Sequence, residues 1–204
     1  MEPPSLASLF LDLATIAGLI VLASFFVAAE IALISLRDSQ VREIATRGKR
    51  GARVAALAAH PNRLLAAVQI GVTVSGFLSA ALGADQLGDY VIPWLESLGI
   101  ANAWATTISL IGVTLVIAYF SLVFGELVPK RVALFRAEEI ALATAGIINV
   151  VANIFRPLIW LLSRSTDIVL RAFGVDPKVQ RSQMSEEELL DLVTGHAALT
   201  DEER

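Results

Sequence analysis

Two glutamates lie inside long apolar stretches of this sequence, where charged side chains are rarely tolerated. Glu30 lies in LASFFVAAEIALISL, and Glu126 lies in YFSLVFGELVPK. A carboxylate at the centre of a bilayer costs about 3 kcal/mol on insertion scales, and it persists where it faces a bundle interior, a partner or an ion. The pair therefore predicts a membrane protein that binds or moves a cation.

The residues after Glu126 suggest a second oxygen ligand. Pro129 has no amide hydrogen, so it cannot bond the carbonyl of Gly125 four residues earlier. Transporters use such free carbonyls, at breaks in helices, to bind cations. A carboxylate, a free carbonyl and a glycine form a candidate site for a hard cation. The alternative is a plain helix kink in which Glu126 pairs with Lys130 at i, i+4.

The first apolar stretch offers further oxygen ligands in Ser24 and in the main chain at Ala28. Ser24 and Glu30 are six residues apart, so they point about 120° apart on a regular helix. They can reach one ion only if the helix unwinds near Ala28 or if a neighbouring helix lies between them. Glu30 could instead pair with a basic residue such as Arg131.

The second apolar stretch, QIGVTVSGFLSAALGA, carries small residues with a period of four. Gly71, Ser75, Ser79 and Gly83 form one ridge of a helix, and Gly76, Ala80 and Ala84 form the adjacent ridge. Small residues at this spacing allow close helix packing in lipid. Packing alone could explain the glycines, whereas the hydroxyls of Thr73, Ser75 and Ser79 could either bond their own helix or serve an ion.

The composition limits the class of protein and the class of metal. The chain has 204 residues, of which 55% are hydrophobic and 18% charged, and a mean hydropathy of +0.67 is too high for an ordinary soluble domain. There is no cysteine and there are two isolated histidines, so a bound metal should be oxygen-ligated. An enzyme is not expected, because no phosphate loop, nucleophile with its base, or metalloprotease motif occurs.

Three stretches are long enough to cross a bilayer as helices: about 6–36, 64–84 and 104–128. The first is too long and too acidic at its start for a signal peptide. A basic helical segment, 37–63, joins the first and second stretches. An acidic loop with Asp85, Asp89 and Glu96 joins the second and third stretches. The third stretch is followed by the basic residues Lys130, Arg131 and Arg136. The positive-inside rule then predicts an outer amino terminus and a cytosolic carboxyl terminus, with Tyr90, Trp94 and Trp104 in the outer aromatic belt.

The region 140–173 is apolar but interrupted at Arg156–Pro157. A fourth span there would place the acidic carboxyl-terminal segment outside, so two helices joined at Pro157 along the inner membrane face are preferred. The following polar tail has a capping-box pattern at 185–188 and is interpreted as the start of a further cytosolic domain. The predicted domains are a three-span bundle at 1–136, juxtamembrane helices at 137–175 and a cytosolic linker helix at 176–204.

The fold class is therefore an all-α membrane protein with three transmembrane helices, a proline-broken juxtamembrane belt and a short cytosolic helical tail. The segments SFFVAAEIALISL, QIGVTVSGFLSA and FGELVPKRVAL, in this order, resemble the transmembrane domain of the CorC/cyclin M (CNNM) family. The resemblance covers about 6–181. The tail resembles the link to that family's paired cystathionine-β-synthase (CBS) domains, which the sequence does not contain.

The resemblance implies a homodimer in the plasma (inner) membrane that exports Mg²⁺, coupled to Na⁺ entry. It also implies an ion site that includes Ser24, the Ala28 carbonyl, Ser75 or its neighbours, Gly125 and Glu126. Glu30 is a further candidate ligand, because it is a carboxylate inside an apolar stretch. The stretch Gly71–Gly76 lacks the asparagines that many relatives have there. No nucleotide site is implied, and the basic segment 37–63 is expected to lie against anionic lipid rather than nucleic acid.

Two other functions remain open from the residues. The chain could be the membrane anchor of a cytosolic CBS module that controls another transporter, and an anchor has no need of Glu30 and Glu126. It could also be a passive cation channel, which would conduct without Na⁺ coupling.

Overall fold

The computed structural model describes residues 6–174, and these form helices joined by short turns. The predicted capping box at 185–188 and the linker at 176–204 lie outside the described residues. The helices are α1 (Leu6–Ser35), α2 (Asp38–Ala45), α3 (Gly48–Ala58), α4 (Pro61–Ser97), α5 (Asn102–Phe120), a π-helical stretch called the π segment (Ser121–Leu127), α6 (Val128–Phe135), α7 (Ala137–Ile154) and α8 (Arg156–Ala172). The prediction of an all-α membrane protein is confirmed.

The three predicted spans correspond to α1, to α4 and to the continuous helical stretch 102–135. At 1.5 Å per residue, the 37 residues of α4 extend about 55 Å, well beyond a hydrocarbon core of about 30 Å. The prediction of an acidic loop after the second span was therefore wrong. Asp85, Asp89 and Glu96 lie on α4, and the connection to α5 is the short turn 98–101, where Gly99 has a φ of +85°.

The helix α7 could itself cross a bilayer by length and composition, since it has 18 residues with a mean hydropathy of 1.3. Whether 137–175 is a juxtamembrane belt or includes a fourth span stays a prediction. The predicted break is present, because α7 ends at Ile154 and α8 begins at Arg156. The described residues divide there into two units, one that ends at Arg156 and one that begins at Pro157.

Within the first unit, α1 is the central helix and packs against α4, the π segment, α6 and α7. Its buried apolar side chains belong to two clusters. The larger joins α1 to side chains from α2, α3, α4, α6 and α7, and its fully buried members include Ile44, Val54, Val68 and Ile148. The smaller joins Ile16 of α1 to Val113 and Ile117 of α5. Both clusters fix the position of α1 against its neighbours.

Charge distinguishes the two ends of this bundle. The end where α4 passes into α5 carries Asp85, Asp89 and Glu96 without a lysine or arginine between 64 and 129, and is here called the acidic end. The opposite end carries α2, α3 and α6 with their lysines and arginines, and is called the basic end. There α2 is tied to the start of α7, because Glu138 accepts hydrogen bonds from Gln40 (3.0 Å) and Arg47 (3.4 Å).

The small-residue ridge predicted on α4 faces the interior. Ser75, Ser79 and Gly83 are buried, and a Cβ on Gly71 would lie 2.6 Å from the Phe26 ring of α1. A Cβ on Gly83 would collide with Ile117. By contrast, a Cβ on Gly76 of the adjacent ridge would have no neighbour within 4 Å, and Thr73 is exposed. The first ridge is therefore the packing face of α4.

Candidate functional site

The two glutamates lie on different helical elements that pack against each other. Glu30 lies near the basic end of α1 and Glu126 lies in the π segment, which packs against α1. Both side chains are partly buried, and Glu30 experiences the charges of Glu126 and Lys130. Packing the two elements together therefore places two carboxylates in one electrostatic environment between apolar helices.

Glu126 already has a cationic partner in its own helix. The ammonium Nζ of Lys130 donates to Glu126 Oε2 at 3.1 Å, which is the i, i+4 pair that the sequence left as an alternative. Both side chains are a little over two-fifths exposed. Arg131 is exposed, and the basic residue whose charge reaches Glu30 is Lys130 rather than Arg131.

The helix around Glu126 is wound more loosely than an α-helix. Residues 121–127 have π-helical geometry, and the amide of Val128 bonds the carbonyl of Val123 five residues earlier. Pro129 follows and is buried. Its ring would clash with the carbonyl of Gly125 in a regular α-helix, so the wider winding accommodates the proline. Single π-helical turns of this kind are frequent at functional sites.

Gly125 lies directly against α1 at the level of Ile20 and Ala23. It is buried, and a Cβ added to it would lie 3.7 Å from Ile20 Cγ2 and 3.9 Å from Ala23 Cβ. Those are ordinary contact distances, so packing alone does not require a glycine here. Ser24, the next residue after Ala23, is partly buried. The contact therefore places the Gly125 backbone at the same level as Ser24.

Ser75 approaches the same level from α4. The antiparallel helices α1 and α4 meet where Gly71 faces Phe26 and where Gly83 faces Ile16. Ser75 lies between those contacts, opposite the stretch of α1 that contains Ser24, and is 2% exposed. One turn further along α4, the buried hydroxyl of Ser79 has no hydrogen-bond partner among the described residues. The small-residue ridge thus brings hydroxyl oxygens to the level of Ser24 and Gly125.

The Ala28 carbonyl is not exposed by any unwinding, since α1 runs as a continuous α-helix from Leu6 to Ser35. Of the two ways in which Ser24 and Glu30 could serve one ion, this leaves a neighbouring element between them, and the π segment and α6 both pack on α1. Helical side chains lean toward the amino terminus of their helix. The Glu30 carboxylate therefore extends back toward the level of Ser24.

The oxygen groups where α1 meets the π segment and α4 are two carboxylates, serine hydroxyls and main-chain carbonyls. Within residues 6–174 there is no group of three or more His, Cys, Asp or Glu side chains that could hold a metal. Two carboxylates together neutralise one divalent cation, and hydroxyl and carbonyl oxygens are ligands that Mg²⁺ and Na⁺ accept. The ligand set fits a hard cation whose shell is completed by neutral oxygens or by water.

The sequence did not indicate a second polar contact, near the acidic end. The Tyr90 hydroxyl donates to Asp12 Oδ2 at 3.2 Å and lies 2.9 Å from Ser8 Oγ. This contact ties α1 to α4 above the smaller apolar cluster of Ile16, Val113 and Ile117. The i, i+4 spacing of Ser8 and Asp12 on one face of α1 was the available signal.

Comparison with known proteins agrees with these motifs. Residues 14–203 match the family described as the cyclin M transmembrane N-terminal domain, CNNM. The chain is 40% identical over 184 residues to the UPF0053 protein sll0260 of Synechocystis, covering 90% of this chain and 41% of that protein. It is 31% identical over 191 residues to a protein of Haemophilus influenzae named polyamine export protein, covering 93% of this chain and 44% of that one.

A third relative, the UPF0053 protein YhdP of Bacillus subtilis, is 30% identical over 183 residues, covering 89% of this chain and 41% of that protein. The chain thus spans less than half the length of these curated relatives. Four helices among the described residues are long and apolar enough to cross a membrane. With nearly the whole chain matched, this is a multi-pass membrane protein that belongs to the CNNM (cyclin M) transmembrane-domain family.

Proposed function

We propose that this chain is the ion-conducting domain of a Mg²⁺ exporter that exchanges Mg²⁺ for Na⁺. The observation that carries the proposal is that Glu30 of α1 and Glu126 of the π segment are both partly buried on two apolar elements that pack against each other. Carboxylates at membrane depth are retained where they serve ions or pair with one another. Membership in a family of membrane transport-type domains supports the same conclusion.

The charges support a divalent ion and an exchange mechanism. Mg²⁺ gives up its water reluctantly and needs a nearly complete shell of oxygens. The two glutamates would supply both negative charges, and Ser24, Ser75 and Gly125 would supply neutral oxygens. Replacing Mg²⁺ by Na⁺ changes the net charge at the site by one unit. This change favours a different arrangement of the helices around each ion.

A second candidate substrate is a polyamine. One relative is named a polyamine export protein, and in this chain an ammonium group, Lys130 Nζ, already lies 3.1 Å from Glu126 Oε2. A site that accepts a lysine ammonium has the charge and the hydrogen-bond acceptors for the end of a polyamine. Metal ions and polyamines would therefore compete for the same two carboxylates.

The wider setting is part of the same proposal. By the positive-inside rule, the acidic end lies outside and the basic end lies in the cytosol of the inner membrane. Two copies form a homodimer, and cytosolic CBS domains regulate the transporter. We expect no enzymatic activity. The competing function, a membrane anchor for such domains, predicts that both glutamates can be neutralised without effect.

Flux through the purified chain in vesicles tests the proposal. Proteoliposomes holding a Mg²⁺-sensitive dye should take up or lose Mg²⁺ faster than empty vesicles, and an opposing Na⁺ gradient should increase the rate. Glu126→Gln should abolish this flux. The control is Glu139→Gln, which removes a carboxylate whose side chain is 76% exposed at the basic end.

The same vesicles distinguish the alternatives. Spermidine that is transported and that blocks Mg²⁺ flux would make the polyamine the substrate. Mg²⁺ flux that ignores the Na⁺ gradient would indicate a passive channel. Flux absent from wild type, or equal in wild type and Glu126→Gln, would contradict transport through this site and favour the anchor.

A further inference from the structure

A third charged group shares the environment of the two glutamates. Lys130 donates to Glu126 at 3.1 Å, and its charge also reaches Glu30. The other basic residues of α6 and its end, Arg131 and Arg136, are exposed. Among the basic residues of α6 and its end, Lys130 is therefore the one that pairs with a carboxylate of the proposed site.

The position of Lys130 allows it to leave the site without any change in the backbone. It lies one turn after Glu126, at the basic end, and its side chain is 42% exposed. A lysine has a flexible four-carbon stem and keeps its ammonium in water wherever it can. Rotation about that stem is enough to move the charge from Glu126 to the aqueous face. The lysine is in this sense a tethered cation.

Charge balance shows which ions can share the site with it. Glu30, Glu126 and Lys130 together carry one negative charge. A monovalent ion added to the three gives zero, whereas a divalent ion gives one uncompensated positive charge. Uncompensated charge between apolar helices is costly. A divalent ion therefore requires Lys130 to move into water, and a monovalent ion does not.

We propose that Lys130 is a tethered cation that competes with the divalent ion for Glu30 and Glu126, and thereby sets divalent affinity and promotes release. This inference rests on the proposed function and adds a residue that controls the selectivity of the same site. A ligand whose binding-competent state is populated only part of the time binds with an affinity lowered by that fraction. Lys130 lowers the fraction of time for which the two carboxylates are free.

The test is a calorimetric titration of the purified chain with MgCl₂ and, separately, with NaCl. Removing the competitor in Lys130→Gln should tighten Mg²⁺ binding by about three- to fivefold, the upper part of the range for the loss of an exposed ion pair. Na⁺ affinity should change by less than about twofold on the same scale. In vesicles, the variant should release Mg²⁺ more slowly at saturating concentration.

Two variants serve as controls. Arg131→Gln removes the same charge from the next residue, which is exposed and does not pair with either glutamate of the proposed site. This variant should leave Mg²⁺ affinity within about twofold of wild type. Lys130→Arg keeps the charge and should bind Mg²⁺ no more tightly than wild type. Thermal melting of each variant shows that the fold is retained, and tighter binding is itself a result that a misfolded variant cannot give.

Each outcome decides the question. Mg²⁺ binding in Lys130→Gln that is unchanged or weaker than in wild type overturns the tethered-cation role while leaving the proposed transporter intact. An equal gain in Arg131→Gln also overturns it, because general surface charge would then be the cause. Absence of Mg²⁺ binding from both wild type and Lys130→Gln removes the proposed function and this inference together.

Discussion

The central helix α1 meets α4 and the π segment through two contacts that are built differently. Along α4, a Cβ on Gly71 would overlap the Phe26 ring of α1, and a Cβ on Gly83 would overlap Ile117 of α5 and lie 3.4 Å from Ile16 of α1. Along the π segment, Gly125 leaves ordinary contact distances to Ile20 and Ala23. The first contact has no space for an added side-chain atom. The second contact has space for one, and it lies next to a carboxylate in the more loosely wound π segment.

This difference separates the residues that hold the fold from the residues that we propose bind an ion. Substitutions in the packed face of α4 should act on stability first. Substitutions in the contact between α1 and the π segment should act on ion binding with the fold retained.

The largest expected effect is on the packed side. Gly83→Leu forces a side chain into the space occupied by Ile117 and Ile16, and overpacking of this kind costs about 3 kcal/mol or more when the backbone must move. We expect a melting temperature lowered by many degrees, or no folded protein in detergent. Gly112→Leu is the control, because nothing lies within 4 Å of a Cβ at that position. Equal melting of the two variants would contradict the assignment of the packed face.

An intermediate effect is expected at the proline. Pro129→Ala restores an amide hydrogen and removes the clash that accompanies the π segment. The helix should return toward α-helical winding, which turns Glu126 relative to Glu30 and lowers Mg²⁺ flux several-fold. Melting should be unchanged or higher, since alanine is the better helix former. Wild-type flux in this variant would show that the π winding has no part in transport.

The smallest structural effect is expected at Gly125. Gly125→Ala adds a methyl group with its nearest neighbour at 3.7 Å, so melting should stay within experimental error of wild type. If the ion approaches the Gly125 backbone, Mg²⁺ affinity should nevertheless fall, by about tenfold for 1.4 kcal/mol of lost interaction. Unchanged affinity would remove Gly125 from the ligand set and leave the carboxylates as the main ligands.

Much of this arrangement could be predicted from local patterns. The period-four small residues identified the interior face of α4, because small side chains are selected where helices approach closely. Pro129 predicted disturbed winding near Gly125, and the Arg156–Pro157 pair predicted a helix break. Each of these follows from the properties of a few neighbouring residues.

Other features depend on contacts between distant parts of the chain and could not be predicted in this way. Asp85 and Asp89 suggested a loop, but packing of Gly83 and Gly88 against α5 and α1 keeps α4 helical well past the acidic residues. The choice between Lys130 and Arg131 as the partner of the glutamates depends on the rotation of α6, which the π segment sets. The tie between Asp12 and Tyr90 joins residues 78 positions apart.

The central claim is that Glu126 and Glu30 together bind a hard divalent cation. The most direct test is a calorimetric titration of wild type and Glu126→Ala with MgCl₂, with and without Na⁺, after melting has shown both to be folded. We predict saturable Mg²⁺ binding in wild type that Na⁺ weakens and Glu126→Ala abolishes. Equal Mg²⁺ affinity in the two proteins, or no binding in well-folded wild type, would contradict the claim.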